Sequence, residues 1–409
     1  MPRTEQLTAY ARLLVRTACN LEQGQELFVS ADVTQAALVR LVVEQAYAAG
    51  ASKVTVEWDY LPVTKAHLRY RTLKTLSHVE KWELEKLEHR ATALPAMLYI
   101  SSEDPDGMKG VNQEKVAKSQ QAKYAVIKPY RDRMENKYQW CIAAVPGKAW
   151  AKKVFPGMQV NRAVEKLWEA ILFTARADGE DPEADWNAHN ADLKARCDYL
   201  NGLHIRRLRY HSQNGTDFTV DLMPQSMFCA GAETTLSGVA FQPNIPSEEV
   251  FTSPMRGRAE GWVVATRPLS YRGEMIEGFA IRFSEGRAVE VKAEKNEELL
   301  RSMIGMDEGA AYLGECALVP YSSPIRESGI TFYNTLFDEN ACCHLALGRG
   351  FPDCIRGYEN LTLEQCREMG LNDSIIHVDF MIGSEDLHID AETEDGRTVT
   401  LFSDGNWAF

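Results

Sequence analysis

Two imidazoles and several carboxylates lie inside apolar, turn-bounded stretches of the second half of this chain, where a charge is costly unless it is paired or coordinated. In IIHVDFMIG (375–383), His377 and Asp379 are two residues apart. On a β-strand they project from one face while Val378 and Phe380 point to the other. Such a pair offers a nitrogen and a carboxylate to one metal ion, or forms a simple hydrogen-bonded couple. In TLFDENACCHLALGRGFP (335–352), Glu339 and His344 are five residues apart, beside Cys342 and Cys343. Cys with His is a known nucleophilic pairing. Adjacent cysteines point apart, however, and both read more simply as small buried hydrophobes.

LGECALV (313–319) sets one carboxylate, Glu315, in an otherwise apolar run with strand character. A lone buried Glu needs a cation, a proton or a tight partner. NIPSEEVFTSP (244–254) carries Glu248 and Glu249, which point in opposite directions if the segment is extended, so only one readily joins a given site. Taken singly, each segment reads as structural. Together they gather three to four carboxylates and two imidazoles from four segments. Such a carboxylate-rich set suits a pair of divalent ions, with one carboxylate bridging and open positions left for water and substrate. Two such ions polarise a carbonyl and lower the pKa of a bound water, which is the chemistry of amide hydrolysis.

These groups must be positioned by a folded frame. The chain has 409 residues, enough for two domains with a core in each. From the start, a helical pattern over 4–19 precedes a strand at 26–31, a helix at 34–50 and a strand at 53–58, a βαβ unit with parallel pairing. A helix at 80–92, a strand at 96–101, a helix at 113–135 and a strand at 138–145 continue it, and helical patterns at 161–177 and 183–200 close it. After Gly202 the texture turns to short β-rich runs separated by turn signals such as Asn214-Gly215 and Asp395-Gly396, with helices at 296–305 and 361–370. The expectation is an α/β N-terminal domain (1–200) for assembly or substrate access. An α+β, mainly antiparallel C-terminal metal-binding domain (201–409) follows, with the boundary near 195–203.

Composition narrows the function classes. With 45 Lys+Arg against 58 Asp+Glu, the net charge is −13 and no basic cluster stands out, which argues against nucleic acid and anionic membranes as partners. The first strand-to-helix crossing, VSADVTQAA, lacks the glycines of a dinucleotide or phosphate loop. His67, His78 and His89 lie among charged residues and read as exposed. Nine scattered cysteines, with no signal-like or membrane-length apolar run, point to a reducing, cytoplasmic setting.

The stretches NIPSEEVFTSP, LGECALVPYSSPI, FYNTLFDENACCHLALG and NDSIIHVDFMIG, with the closing DGRTVTLFSDGNWAF, resemble the aminopeptidase T family (aminopeptidase S/T, thermophilic metalloaminopeptidases) in content, order and separation. The resemblance covers the whole C-terminal half, and the N-terminal half more loosely. It implies a cytoplasmic homodimer that uses two divalent ions (cobalt, zinc, manganese or magnesium) to remove N-terminal residues from peptides. Carried over residue by residue, it implies Glu249, Glu315, His344, His377 and Asp379 as metal ligands, with Glu315 bridging and Glu339 a sixth contributor. Glu248, adjacent to a ligand, is the candidate general base.

One position departs from the family pattern: seven residues after His344, where the family has Tyr, this chain has Phe351. The ring is kept and an oxyanion donor is lost, unless another phenol such as Tyr358 replaces it. Two other readings stand beside the hydrolase. One is a ring-cleaving dioxygenase of similar fold with one ferrous ion, which needs only about three protein ligands. The other is a metal-stabilised binding protein that has lost catalysis.

Overall fold

The computed structural model describes residues 2–102 and 104–409. The chain divides into two compact units: Met1–His189 with Ala232–Ser247 and Arg272–Glu274, and Asn190–Gly231 with Glu248–Tyr271 and Met275–Phe409. Two short segments beyond position 203 thus belong with the first unit. One reason is local: Asn244–Ile245 adds as a parallel strand beside Trp140–Ala144.

The first unit is built on a five-stranded sheet in the order Asn244–Ile245, Trp140–Ala144, Ala96–Ser101, Glu26–Asp32, Lys53–Asp59, and its pairings are parallel. The strand Glu26–Asp32 buries Leu27, Phe28 and Val29 consecutively, as a parallel strand covered on both faces must. The helix Ala36–Ala49 ends at Gly50, whose φ of 99° is the left-handed conformation glycine adopts without strain. Three helices have no clear sequence signal: Leu61–Tyr70, Leu73–Ser77 and Lys148–Val154. Leu61–Tyr70 buries none of its residues.

The second unit contains an eight-stranded and a five-stranded sheet, with antiparallel pairing in both. In the larger one, alternation is clear: Leu208 and Tyr210 are buried while Arg209 and His211 are exposed, and the rings of Tyr210, Phe218 and Phe283 pack in series. The smaller sheet runs His377–Met381, His344–Gly348, Leu313–Leu318, Val250–Thr252, Cys229–Ala230. Every residue of Leu313–Leu318 and His344–Gly348 is buried. A charged side chain on these two strands therefore has no bulk water to solvate it, and Glu315 and His344 sit there.

Candidate metal centre

Strand register explains why these side chains meet. Ala346 pairs with Glu315 on one side and Asp379 on the other, so the three share a row on one face. Two residues along, His344 pairs with Ala317 and Met381; two residues the other way, Gly348 pairs with His377. Phe251 pairs with Ala317 and so lies on the same face, as does Glu249, two residues before it. The alternation selects Glu249 rather than Glu248 for this surface. Of the three aligned side chains only Ala346 is small, and its methyl leaves space over which the two flanking carboxylates converge.

Two triads result. Glu249, Glu315 and His344 each offer a ligand atom within 4.8 Å of the others, and so do Glu315, His377 and Asp379. Glu315 belongs to both. His344 Nε2 is 3.1 Å from Glu249 Oε2, and His377 Nε2 is 3.0 Å from Glu315 Oε2 and 3.2 Å from Asp379 Oδ1. All but His377 are buried, and 25% of the His377 side chain stays exposed on the open side of the group.

The other ring nitrogens are held by backbone. His377 Nδ1 is 2.7 Å from the Arg349 carbonyl, and His344 Nδ1 is 3.4 Å from the Cys342 carbonyl. A donor hydrogen on Nδ1 leaves the Nε2 lone pair for a metal, the usual outer support of a ligating histidine. Glycine makes this support fit: a Cβ on Gly314 would lie 2.2 Å from that same Arg349 oxygen. Gly314 also falls at the irregularity in register between Leu313 and Glu315.

Electrostatics fit a cation. Burial, offset by the His377 hydrogen bond and reinforced by Glu249 and Asp379, raises the Glu315 carboxyl to about 7. Burial, then the charges of Asp379, Glu249 and Glu315, hold the Glu339 carboxyl well above its ordinary value. Burial opposes the charge on His344, but the Glu249 hydrogen bond and the surrounding carboxylates overcome it and raise the imidazole to about 9. Burial likewise opposes charge on Asp379, yet His377 holds that carboxyl below its usual range. Without metal, the raised proton affinities of His344, Glu315 and Glu339 offset the gathered negative charge. A divalent ion would replace the bound protons where Nε2 and carboxylate oxygen already converge. Asp379 Oδ1 is buried with His377 Nε2 at 3.2 Å as its near neighbour but without hydrogen-bond alignment, so a cation held by both atoms would serve it better.

The remaining sequence candidates are placed as follows. Glu339 is buried in the turn Glu339–Ala341, coupled to the triads by charge but in neither of them. Glu248 is buried, and its amide donates to Asn340 Oδ1 at 2.6 Å. Asn340 also donates from Nδ2 to the Leu336 carbonyl at 3.0 Å and to Glu339 Oε1 at 3.4 Å. This fully buried amide ties the two acidic segments together; sequence reasoning misses it, since its only signal there is its place in the DEN string. The Phe351 ring packs on His377 at 4.8 Å between centroids and on Phe251 at 5.6 Å. Tyr358 instead packs against a separate cluster of Met223, Ile355, Cys366 and Leu371, which gives no support to its replacing the missing phenol. Cys343 Sγ approaches the Val319 backbone, and burial pushes the Cys342 and Cys343 thiols up, away from nucleophilic use.

The model of the thermophilic metalloprotease (M29) family matches residues 3–407. The chain is 41% identical to aminopeptidase 2 of Geobacillus stearothermophilus over 406 residues, covering 99% of this chain and 98% of that one. It is 40% identical to aminopeptidase T of Thermus aquaticus over 405 residues, at 99% and 98% coverage. The solved structure of wild-type AmpT from Thermus thermophilus superposes with a TM-score of 0.89 at 38% identity, covering 99% of each chain. A 2,5-dihydroxypyridine dioxygenase from Pseudomonas putida KT2440 shares the fold at a TM-score of 0.51 and 13% identity, over 98% of this chain and 96% of that one. By sequence over nearly its whole length, the chain belongs to the thermophilic metalloprotease (M29) family.

Proposed function

We propose that this protein is a metal-dependent aminopeptidase that removes N-terminal residues from peptides, and that its second unit is the catalytic domain. The family membership and the aminopeptidase relatives support the activity. One observation carries the two-ion form of the reading: Glu315 is common to two ligand triads, so one carboxylate can bridge a pair of cations. Glu249 and His344 would hold one ion, and His377 and Asp379 the other. When bound, such a pair supplies Lewis acidity toward the scissile carbonyl and a nucleophilic water at neutral pH.

The chain's own groups do the rest. The Arg349 and Cys342 carbonyls fix the imidazole orientations. Glu339, buried beside three other carboxylates that would face the same cations, is the sixth contributor to the set. Glu248, next in sequence to a ligand, is the proton acceptor for the attacking water. Phe351 presents an apolar ring to His377, so the oxyanion receives no phenol from that position.

The dioxygenase likeness, at 13% identity, extends to the fold alone. Nine free thiols, eight of them buried, suit a reducing, cytoplasmic compartment, and the family resemblance supports a homodimer. Among the described residues, no helix is long and apolar enough to cross a membrane. Metal content per chain, with and without the Glu315 carboxylate, tests the two-ion reading.

A further inference from the structure

The second unit has a cavity of about 450 Å³, a volume suited to a small ligand, whose lining includes Arg267, Arg326, Tyr321, Cys342, Glu385 and Asp386. Its position follows from the same strand that carries the metal candidates. Cys342 is fully extended, with φ −173° and ψ 172°, and lies two residues before His344, so it continues the metal-bearing face. Gly383, which also lines the cavity, stands two residues beyond Met381, the partner of His344. At roughly 3.3 Å per residue, Cys342 is about 7 Å from His344 and about 13 Å from Ala346 along the strand. An extended peptide of about two to four residues spans that distance.

The chemistry of the cavity is that of a carboxylate receptor. The Arg267 side chain is only 11% exposed, and among the described residues it makes one hydrogen bond, 3.1 Å to Asp338 Oδ1. Asp338 is also bonded by the Phe332 and Asn334 amides at 2.9 and 3.1 Å. A guanidinium has five N–H donors in a rigid fork, so most of those on Arg267 remain free for a ligand. Arg326 donates to the Tyr321 hydroxyl and lies over that ring at 4.6 Å, which holds it in place. Of the acidic lining residues, Asp386 is already bonded by Ser212, Ser384 and the Gln213 amide, and Glu385 accepts from the Tyr321 hydroxyl at 3.4 Å. The selectivity of the cavity for an anion therefore rests on the unspent guanidinium donors rather than on net charge.

We infer that this cavity is the subsite for the C-terminal carboxylate of a short peptide whose N-terminus lies at the metal triads, which makes peptides of about two to four residues the preferred substrates. The inference rests on the aminopeptidase reading above. Its test uses the full chain loaded with cobalt, assayed on Leu-Gly-Gly, on the same tripeptide as its C-terminal amide, and on a leucyl-hexaglycine. The expected result is a kcat/KM for the free acid on the order of tenfold above the amide and the longer peptide, expressed in KM. Arg326→Gln brings the acid-to-amide ratio toward one, and Arg326→Lys, which keeps the charge without the fork, leaves it intermediate. Because the ratio is taken on one enzyme sample, a partly misfolded variant does not distort it. Equal hydrolysis of all three substrates by the unsubstituted enzyme would overturn the subsite and leave the aminopeptidase reading standing. Hydrolysis of none of them would overturn that reading and the subsite with it.

Discussion

Ala346→Leu is a substitution at no conventional catalytic group that nevertheless strikes at the arrangement of the site. Ala346 is fully buried and lies directly between Glu315 and Asp379 across three strands. Adjacent strands are about 4.8 Å apart, so the two carboxylates start from backbones roughly 9.6 Å apart. Their ligand oxygens nonetheless come within 4.8 Å of each other, which they do by leaning over the alanine methyl. Leucine adds three carbons to that space. Overpacking a tight interior costs about 1–3 kcal/mol, and if the strain is relieved by displacing a carboxylate, metal binding weakens by roughly 5- to 150-fold. Calorimetric titration of the metal-free protein with cobalt or zinc, alongside thermal unfolding of the metal-free form, measures both quantities. Ala346→Gly is the control: it keeps the space and loses only about 1 kcal/mol of stability to backbone freedom. Should the leucine variant bind metal as tightly as the parent, convergence over Ala346 would not be what forms the triads.

Phe351→Tyr keeps the ring against His377 and restores a donor; deleting a comparable oxyanion donor costs about 3 kcal/mol, so kcat on peptides is expected to rise by up to about two orders of magnitude, and no gain would show that the missing phenol does not limit the enzyme. Glu248→Gln is expected to lower kcat by about 100-fold while metal content is retained, whereas Glu339→Gln weakens metal binding; an unchanged kcat for Glu248→Gln in steady-state kinetics would place proton transfer elsewhere. Asp386 is pulled down to about 2 by Ser384 and the Gln213 amide, with burial opposing and Ser212 adding. A depressed carboxyl contributes stability that is full above its unfolded value of about 3.9 and is lost as pH falls through the folded one. Asp386→Asn should therefore lower stability by about 1 kcal/mol or less at neutral pH after solvent screening, and flatten the decline between about pH 4 and 2 in acid-unfolding curves.

Much of the site was legible because burial and charge conflict in the sequence itself. Glu315 stands out as the sole carboxylate in a fully buried strand, and strand periodicity places His377 with Asp379. For Glu248 and Glu249, alternation along an extended segment says only that one of the two can face a given site. The family resemblance implies Glu249, and the register of Phe251 on Ala317 gives the physical reason it faces the other candidates. Nothing local marks Ala346 as the gap between two carboxylates, or Gly314 as the residue that admits the Arg349 carbonyl, because both roles depend on neighbours far along the chain. Glu339 sits on a short turn whose place is set by the buried Asn340 amide rather than by periodicity. In the first unit the strong βαβ alternation was readable, while the two-residue strand Asn244–Ile245 offers too little apolar pattern to read.

The central claim is that one carboxylate joins two cation sites, and metal content per chain tests it most directly. The fully loaded protein is expected to bind two divalent ions and to cleave aminoacyl substrates. Glu315→Ala is expected to bind at most one ion and to lose activity while remaining folded. A parent protein that binds a single ion at saturation, or a Glu315→Ala variant that keeps two ions and full turnover, would contradict the claim.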